Sequence, residues 1–259
     1  MSSAWVVCHQ TKVGMPFRVF CFPYAGSGAS AFFSWGRALV SHPLEIHSIQ
    51  LPGRETRLRE KSLHSAEALV QGVVEALIPL MTHASIFLGH SMGSLLAFEV
   101  CRELRRRKAR LPLKLLACGS KPPHLVHLNR RLHHLDDRTF IDTIVRDYNG
   151  IPRELLDQPE IVELICPILK ADFAVMETYV HCEEPPLGIP IVAFGGETDD
   201  TVPRSDLLQW NRHTASGFKE RIFSGGHFFI NESREAVVRA VLEEVRDAGG
   251  PWRETWKLF

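Results

Sequence analysis

The chain has 259 residues, 45% of them apolar, with 30 Lys and Arg balanced by 30 Asp and Glu. That length and apolar fraction suit one large α/β domain, or one domain carrying an inserted lid, with a real core. A formal net charge of zero removes any global electrostatic case for nucleic acid or an anionic membrane.

Met1 to Pro16 has no continuous apolar run and no small-residue cleavage pattern, so no signal peptide is expected. No run is long or apolar enough to span a bilayer. The six cysteines (Cys8, Cys21, Cys101, Cys118, Cys166 and Cys182) are scattered and form no C-x-x-C pair. Small core thiols in a reducing, cytoplasmic setting are expected.

In chain order, Phe17 to Phe22 reads as a strand ending at Pro23, followed by a Gly-rich loop (Tyr24 to Gly28) and a helix near Ala31 to Val40. A second strand runs from Leu44 to Leu51 and stops at Pro52-Gly53. Ser65 to Met81 is an amphipathic helix with Ser65 as N-cap. Ser85 to Leu88 is a strand leading through Gly89 into a helix from about Met92 to Arg107, and Leu113 to Gly119 is the next strand. Ile189 to Phe194, a helix near Ser205 to His213, a strand at Phe218 to Phe223 and a helix at Ser233 to Asp247 complete the pattern. Short apolar strands alternating with helices predict a mostly parallel sheet with helices on both faces.

Residues 121–186 break this rhythm, with helical apolar spacing and no clear strand. They are expected to form a helical lid inserted in a single 1–259 domain. No internal repeat or low-complexity tract is present.

Gly89-His90-Ser91-Met92-Gly93 matches G-x-S-x-G between a strand and a helix. That context predicts a nucleophile elbow and hence an α/β-hydrolase fold, with Ser91 lifted above the sheet at a helix N-terminus. His227 follows the last strand and lies C-terminal to every acid candidate, which fits the order Ser, Asp, His and makes it the expected base. Two adjacent aspartates compete for the third place. The spacing G-x-x-D-x-x-V from Gly196 to Val202 favours Asp199, with Asp200 as the alternative. The oxyanion donors expected are the amides of Met92 and, from the loop after the first strand, Ala25.

His124, His127, His133 and His134 cluster, but no carboxylate or Cys stands at a firm ligand spacing, so a solvated loop is preferred to a metal site. The basic run Arg102, Arg105, Arg106, Arg107, Lys108 and Arg110 reads first as a helix end complementing its dipole, and second as a dock for an acidic carrier protein. Arg54 reads as an anchor of the Pro-Gly turn, with an approach to the substrate arm as the alternative.

With these pieces placed, the chain resembles the type II thioesterases of fatty-acid, polyketide and nonribosomal-peptide synthesis, including the animal medium-chain enzymes. The matching segments are Cys21-Phe22-Pro23-Tyr24-Ala25-Gly26, Leu51-Pro52-Gly53-Arg54, the Gly89 to Gly93 motif, Ala171-Asp172-Phe173 with Glu177 and Tyr179, and Gly225-Gly226-His227-Phe228. They extend over nearly the whole chain in order. The departures are local: Asp200 stands where the family often has Pro, and the glycines after Ala25 are spaced differently.

The resemblance implies hydrolysis of an acyl thioester on the phosphopantetheine arm of an acyl carrier protein, with no cofactor or metal of the enzyme's own. It implies partnership with a carrier domain of a synthase, with no nucleic acid or membrane partner, and a monomer. Tyr24, Phe140, Ile144, Phe173, Met176 and Phe228 are the candidate substrate-binding residues, with Leu164 and Ile168 as further lid candidates. A general esterase or lipase, an acyltransferase and a silent carrier-binding module remain the alternatives.

Overall fold

The structure, a computed structural model, describes residues 3–9, 17–126, 131–148, 150 and 156–248. The strands are β1 (Val6–Cys8), β2 (Phe17–Phe22), β3 (Leu44–Ile49), β4 (Ala84–His90), β5 (Leu115–Cys118), β6 (Ile191–Gly196) and β7 (Phe218–Phe223). They form one sheet in the order β1-β3-β2-β4-β5-β6-β7. Every pairing is parallel except β1 with β3. The helices are α1 (Phe33–Ala38), α2 (Ala66–Leu77), α3 (Met92–Arg106), α4 (Asp137–Tyr148), α5 (Pro159–Glu177), α6 (Arg204–Leu207), α7 (Phe229–Glu232) and α8 (Arg234–Ala248). This is the α/β-hydrolase architecture expected from the strand–helix alternation.

Alternation along the central strands sorts the core into two layers. Phe20, Phe22 and Phe87 face α2 and α3 through Val70, Val74, Leu96 and Val100. Val19, Cys21, Ile86 and Leu88 face α1 and α8 through Trp35, Val237 and Val241. Both faces are covered, which is why these strands read as continuous apolar runs rather than as alternating ones. Ser65 caps α2 as expected, its side chain accepting from Ala68 N at 3.3 Å. Between β5 and β6 the two helices α4 and α5 bury a separate small core of Leu132, Phe140, Ile141, Ile144, Cys166, Leu169 and Phe173. No helix among the described residues is long and apolar enough to cross a membrane.

One buried ion pair joins the sheet to the last helix. Lys114, before β5, pairs with the fully buried carboxylate of Glu244 on α8, which also accepts from Arg221 at 2.7 Å. Removing one partner of such a pair leaves a charge in low dielectric. Glu244→Leu is expected to cost about 3–5 kcal/mol in urea unfolding, and the double variant Lys114→Met/Glu244→Leu to recover most of it.

Candidate active site

Ser91 sits between β4 and α3 with φ 53 and ψ −120, a left-handed conformation that a non-glycine residue holds only under strain. Two glycines make the turn possible. A Cβ on Gly89 would lie 2.3 Å from Gly93 O, and one on Gly93 would lie 2.1 Å from Phe22 O. The absence of a side chain at Gly93 therefore brings the start of α3 against the end of β2, and so brings the Pro23–Gly26 loop to the nucleophile. Met92 is the first residue of α3, where backbone N–H groups have no intrahelical acceptor.

The three expected catalytic side chains come together. His227 Nε2 lies 3.0 Å from Ser91 Oγ, and His227 Nδ1 lies 2.9 Å from Asp199 Oδ2. Asp199 is buried at the turn after β6, and Asp200 beside it is exposed, which separates the two candidates. Asp199 Oδ1 accepts from Thr201 N at 2.9 Å, Thr201 Oγ1 at 2.6 Å and Val202 N at 3.3 Å. Burial pushes the Asp199 carboxyl up, but the hydrogen bonds from His227 and Thr201 outweigh it and hold the group below the usual carboxylate range. An ionised Asp199 keeps the His227 proton on Nδ1. That leaves Nε2 to accept from Ser91, the tautomer nucleophilic attack needs.

Thr201 is a functional residue that the motif reading does not include. Its hydroxyl also lies 2.9 Å from His227 Nδ1, so it braces both members of the pair. The available signal is the Asp-x-Thr spacing, which favours a turn in which the carboxylate accepts from the backbone two residues on. His90 is fully buried, its ring centroid 5.3 Å from that of His227 and 5.5 Å from that of Tyr24. Burial, and then the neighbouring His227, hold its imidazole far below the ordinary range, so it stays neutral beside the catalytic ring.

Two cavities meet at Ser91. One is lined by Tyr24, Ala25, Ile144, Tyr148, Leu169, Phe173, Met176 and Phe228 together with Ser91 and His227. The other runs past Met92, Leu95, Ser120, Lys121, Leu125 and Val126. Tyr148, the last residue of α4, borders both and packs edge-on against His227 with centroids 5.5 Å apart. Nothing in its sequence context marks it.

Of the candidate substrate-binding residues, Tyr24, Ile144, Phe173, Met176 and Phe228 line the first cavity. Phe140 does not: it is fully buried in the core between α4 and α5, edge-on to Phe173. Leu164 and Ile168 are also absent from both linings. Leu164 is 49% exposed on the outer face of α5, and Ile168 is buried away from the cavities. The 3.6-residue period marks buried faces without saying whether they meet a partner helix or a cavity.

The remaining polar clusters have structural partners. His124 Nδ1 lies 2.7 Å from His213 Nε2, and His133 pairs with Glu177, which also accepts from Leu132 N at 2.8 Å. His127 lies outside the described residues. Among the described residues the one trio of potential metal ligands is Cys8, Glu45 and His47 on β1 and β3, where the Arg18 guanidinium already pairs with Glu45.

The basic run on α3 is neutralised within the chain. Arg102, Arg105 and Arg106 converge on Glu184, and Arg107 binds Glu103 and Glu75. Burial opposes ionisation of Glu184, but the three guanidiniums hold its carboxyl at about 2. These four arginines therefore offer no unpaired charge to an acidic partner.

Residues 17–246 match the family model of the thioesterase domain. The gramicidin S biosynthesis protein GrsT of Aneurinibacillus migulanus is 36% identical over 93% of this chain and 94% of its own length. The solved structure of RedJ, a thioesterase from the prodiginine biosynthetic pathway in Streptomyces coelicolor, is 36% identical, with a TM-score of 0.82 over 88% of this chain and 90% of that one. The type II thioesterase BorB from the borrelidin biosynthetic cluster superposes with a TM-score of 0.85 at 27% identity, covering 94% of this chain and 98% of its own. The chain belongs to the thioesterase domain family and is a hydrolase of thioesters.

Proposed function

We propose that this chain hydrolyses acyl groups held as thioesters on the phosphopantetheine arm of a carrier protein, in polyketide or nonribosomal-peptide assembly, through an acyl-Ser91 intermediate. The observation that carries this reading is the hydrogen-bonded line Asp199–His227–Ser91 at the junction of two cavities. A thioester carbonyl lying against Ser91 would have one cavity for each of its two sides. The cavity under α4 and α5 is walled by aliphatic and aromatic side chains and suits the acyl group. The cavity past Ser120 and Lys121 is more polar and suits the amide-rich arm.

In the proposed reaction Ser91 Oγ attacks the carbonyl while His227 Nε2 takes its proton. The oxyanion is held by the Met92 and Ala25 amides. The carbon–sulfur bond breaks, and the thiol leaves with the proton from Nε2. His227 then deprotonates water, which attacks the acyl-Ser91 ester; the carbonyl carbon–Oγ bond breaks, Nε2 returns the proton to Ser91 Oγ, and the carboxylic acid is freed. A thiolate leaves readily, so the site needs less assistance at this step than an amidase does. Six free cysteines, four of them buried, fit a reducing cytoplasmic setting, and a monomer suffices because all three side chains come from one chain.

Relatives named for gramicidin S biosynthesis and for the prodiginine biosynthetic pathway favour a carrier-bound donor over free acyl-CoA. The test is kcat/KM on one acyl group presented as carrier thioester, CoA thioester and oxygen ester, with an added alcohol or amine acceptor to measure partition against water. The expected ranking is carrier above CoA above oxygen ester, with free acid as product. Equal rates on thioester and oxygen ester would point to a general esterase, and transfer to the acceptor would point to an acyltransferase.

A further inference from the structure

Arg54 and Asp172 are 118 residues apart in sequence and meet in the interior. Arg54 Nη1 donates to Asp172 Oδ2 at 2.5 Å and Nη2 to Oδ1 at 2.8 Å, with the side chains 3% and 0% exposed. Asp172 Oδ2 also accepts from Gly26 N at 2.7 Å, and Arg54 Nη1 donates to Ser27 O at 3.3 Å. The pair therefore grips the residue immediately after Ala25. Gly26 has φ +80, and a Cβ there would stand 2.5 Å from Leu169 Cδ2 on α5. Leu169, Asp172, Phe173 and Met176 share one face of that helix by their spacing, and three of the four line the acyl cavity.

We propose that Arg54 and Asp172 are positioning residues for the loop that presents the Ala25 amide to the oxyanion, and that they tie this loop to the wall of the acyl cavity. The inference rests on the reading of Ser91 and Ala25 given above. A bidentate, fully desolvated carboxylate–guanidinium pair has a single geometry, so it transmits the position of α5 to the loop without slack. An amide displaced by a fraction of an ångström loses most where charge develops, in the tetrahedral intermediate, and little in the ground state. Interactions of the acyl group with Leu169, Phe173 and Met176 would then register in kcat as well as in KM.

The test uses three variants of the full chain: Arg54→Met/Asp172→Leu, which removes both charges at similar volume, Asp172→Asn, and Arg54→Lys. Each is measured for kcat, KM, affinity for an acyl trifluoromethyl ketone that forms a tetrahedral adduct with Ser91, and affinity for the carboxylic acid product. The double variant is expected to lose on the order of 10–100-fold in kcat, somewhat less than deleting an oxyanion donor outright. Ketone affinity should fall by the same factor, with KM and product affinity nearly unchanged, and Arg54→Lys should lie between wild type and the double variant.

A merely structural pair would lower the melting temperature and, through the folded fraction, weaken ketone and product binding by the same factor, leaving their ratio unchanged. That pattern, or a folded double variant with wild-type kcat and ketone affinity, overturns the proposal. If the double variant does not fold, the ratio of ketone to product affinity in the other two variants decides by the same criterion. Wild-type protein inactive on every thioester would instead refute the functional reading on which the clamp rests.

Discussion

Ser91→Ala is expected to abolish thioester turnover, with kcat falling by on the order of 10⁶ as in other hydrolases that lose the triad nucleophile. The two helix-side and loop-side amides would remain, so any residual rate would be that of a bound thioester meeting water beside an intact oxyanion site. An intact-mass shift after exposure to a fluorophosphonate should appear in the wild type and vanish in the variant. Turnover within about a hundredfold of wild type, against the expected loss, would remove Ser91 from the mechanism. A companion variant separates chemistry from conformation. Ser91 holds φ 53, which costs a residue with a Cβ but not glycine. Ser91→Gly should therefore be as inactive as Ser91→Ala and yet melt at a higher temperature, because it relieves strain that alanine retains.

That strain is legible in the amino-acid sequence itself. A serine flanked by glycines between an apolar strand and a helix leaves few conformations for the turn, and Ser91 adopts the one expected. β2 and β7 occupy the expected residues, Phe17–Phe22 and Phe218–Phe223, because Pro23 and the Ser224-Gly225-Gly226 run end them sharply. β1 is not legible: three half-buried residues at an antiparallel edge carry too little period to register. The arginines of α3 are visible as a charge run, and their partners Glu99 and Glu103 lie on the same helix. The third partner, Glu184, arrives from beyond α5, so only the folded chain shows the run neutralised. Arg54 shows the same limit. Its anchoring role can be read from the Pro-Gly turn, but its partner lies on a helix 118 residues on, and no local pattern joins the two. Phe140 and Phe173 have equal claims by spacing, and only packing decides that the first faces a helix and the second a cavity.

The pair of aspartates provides the sharper experiment on the site, because the two residues are neighbours of identical chemistry. Asp199→Asn should lower kcat by about 10⁴. The amide would turn its NH₂ toward His227 Nδ1, which must then accept, and the ring proton would move to Nε2. In that tautomer Nε2 cannot take the Ser91 proton, although the geometry is nearly unchanged. Asp200→Asn should leave kcat near wild type, since its side chain is exposed and the carboxylate paired with the ring is that of Asp199. Thr201→Val belongs between them. It removes a hydroxyl that braces both Asp199 Oδ1 and His227 Nδ1, but leaves the carboxylate in place to hold the tautomer. The expected order of loss is Asp199→Asn, then Thr201→Val, then Asp200→Asn, measured as kcat on a single acyl-carrier substrate. A large loss at Asp200 with little at Asp199 would mean that the turn after β6 rearranges when substrate binds, and that the acid is recruited from the exposed side of the loop.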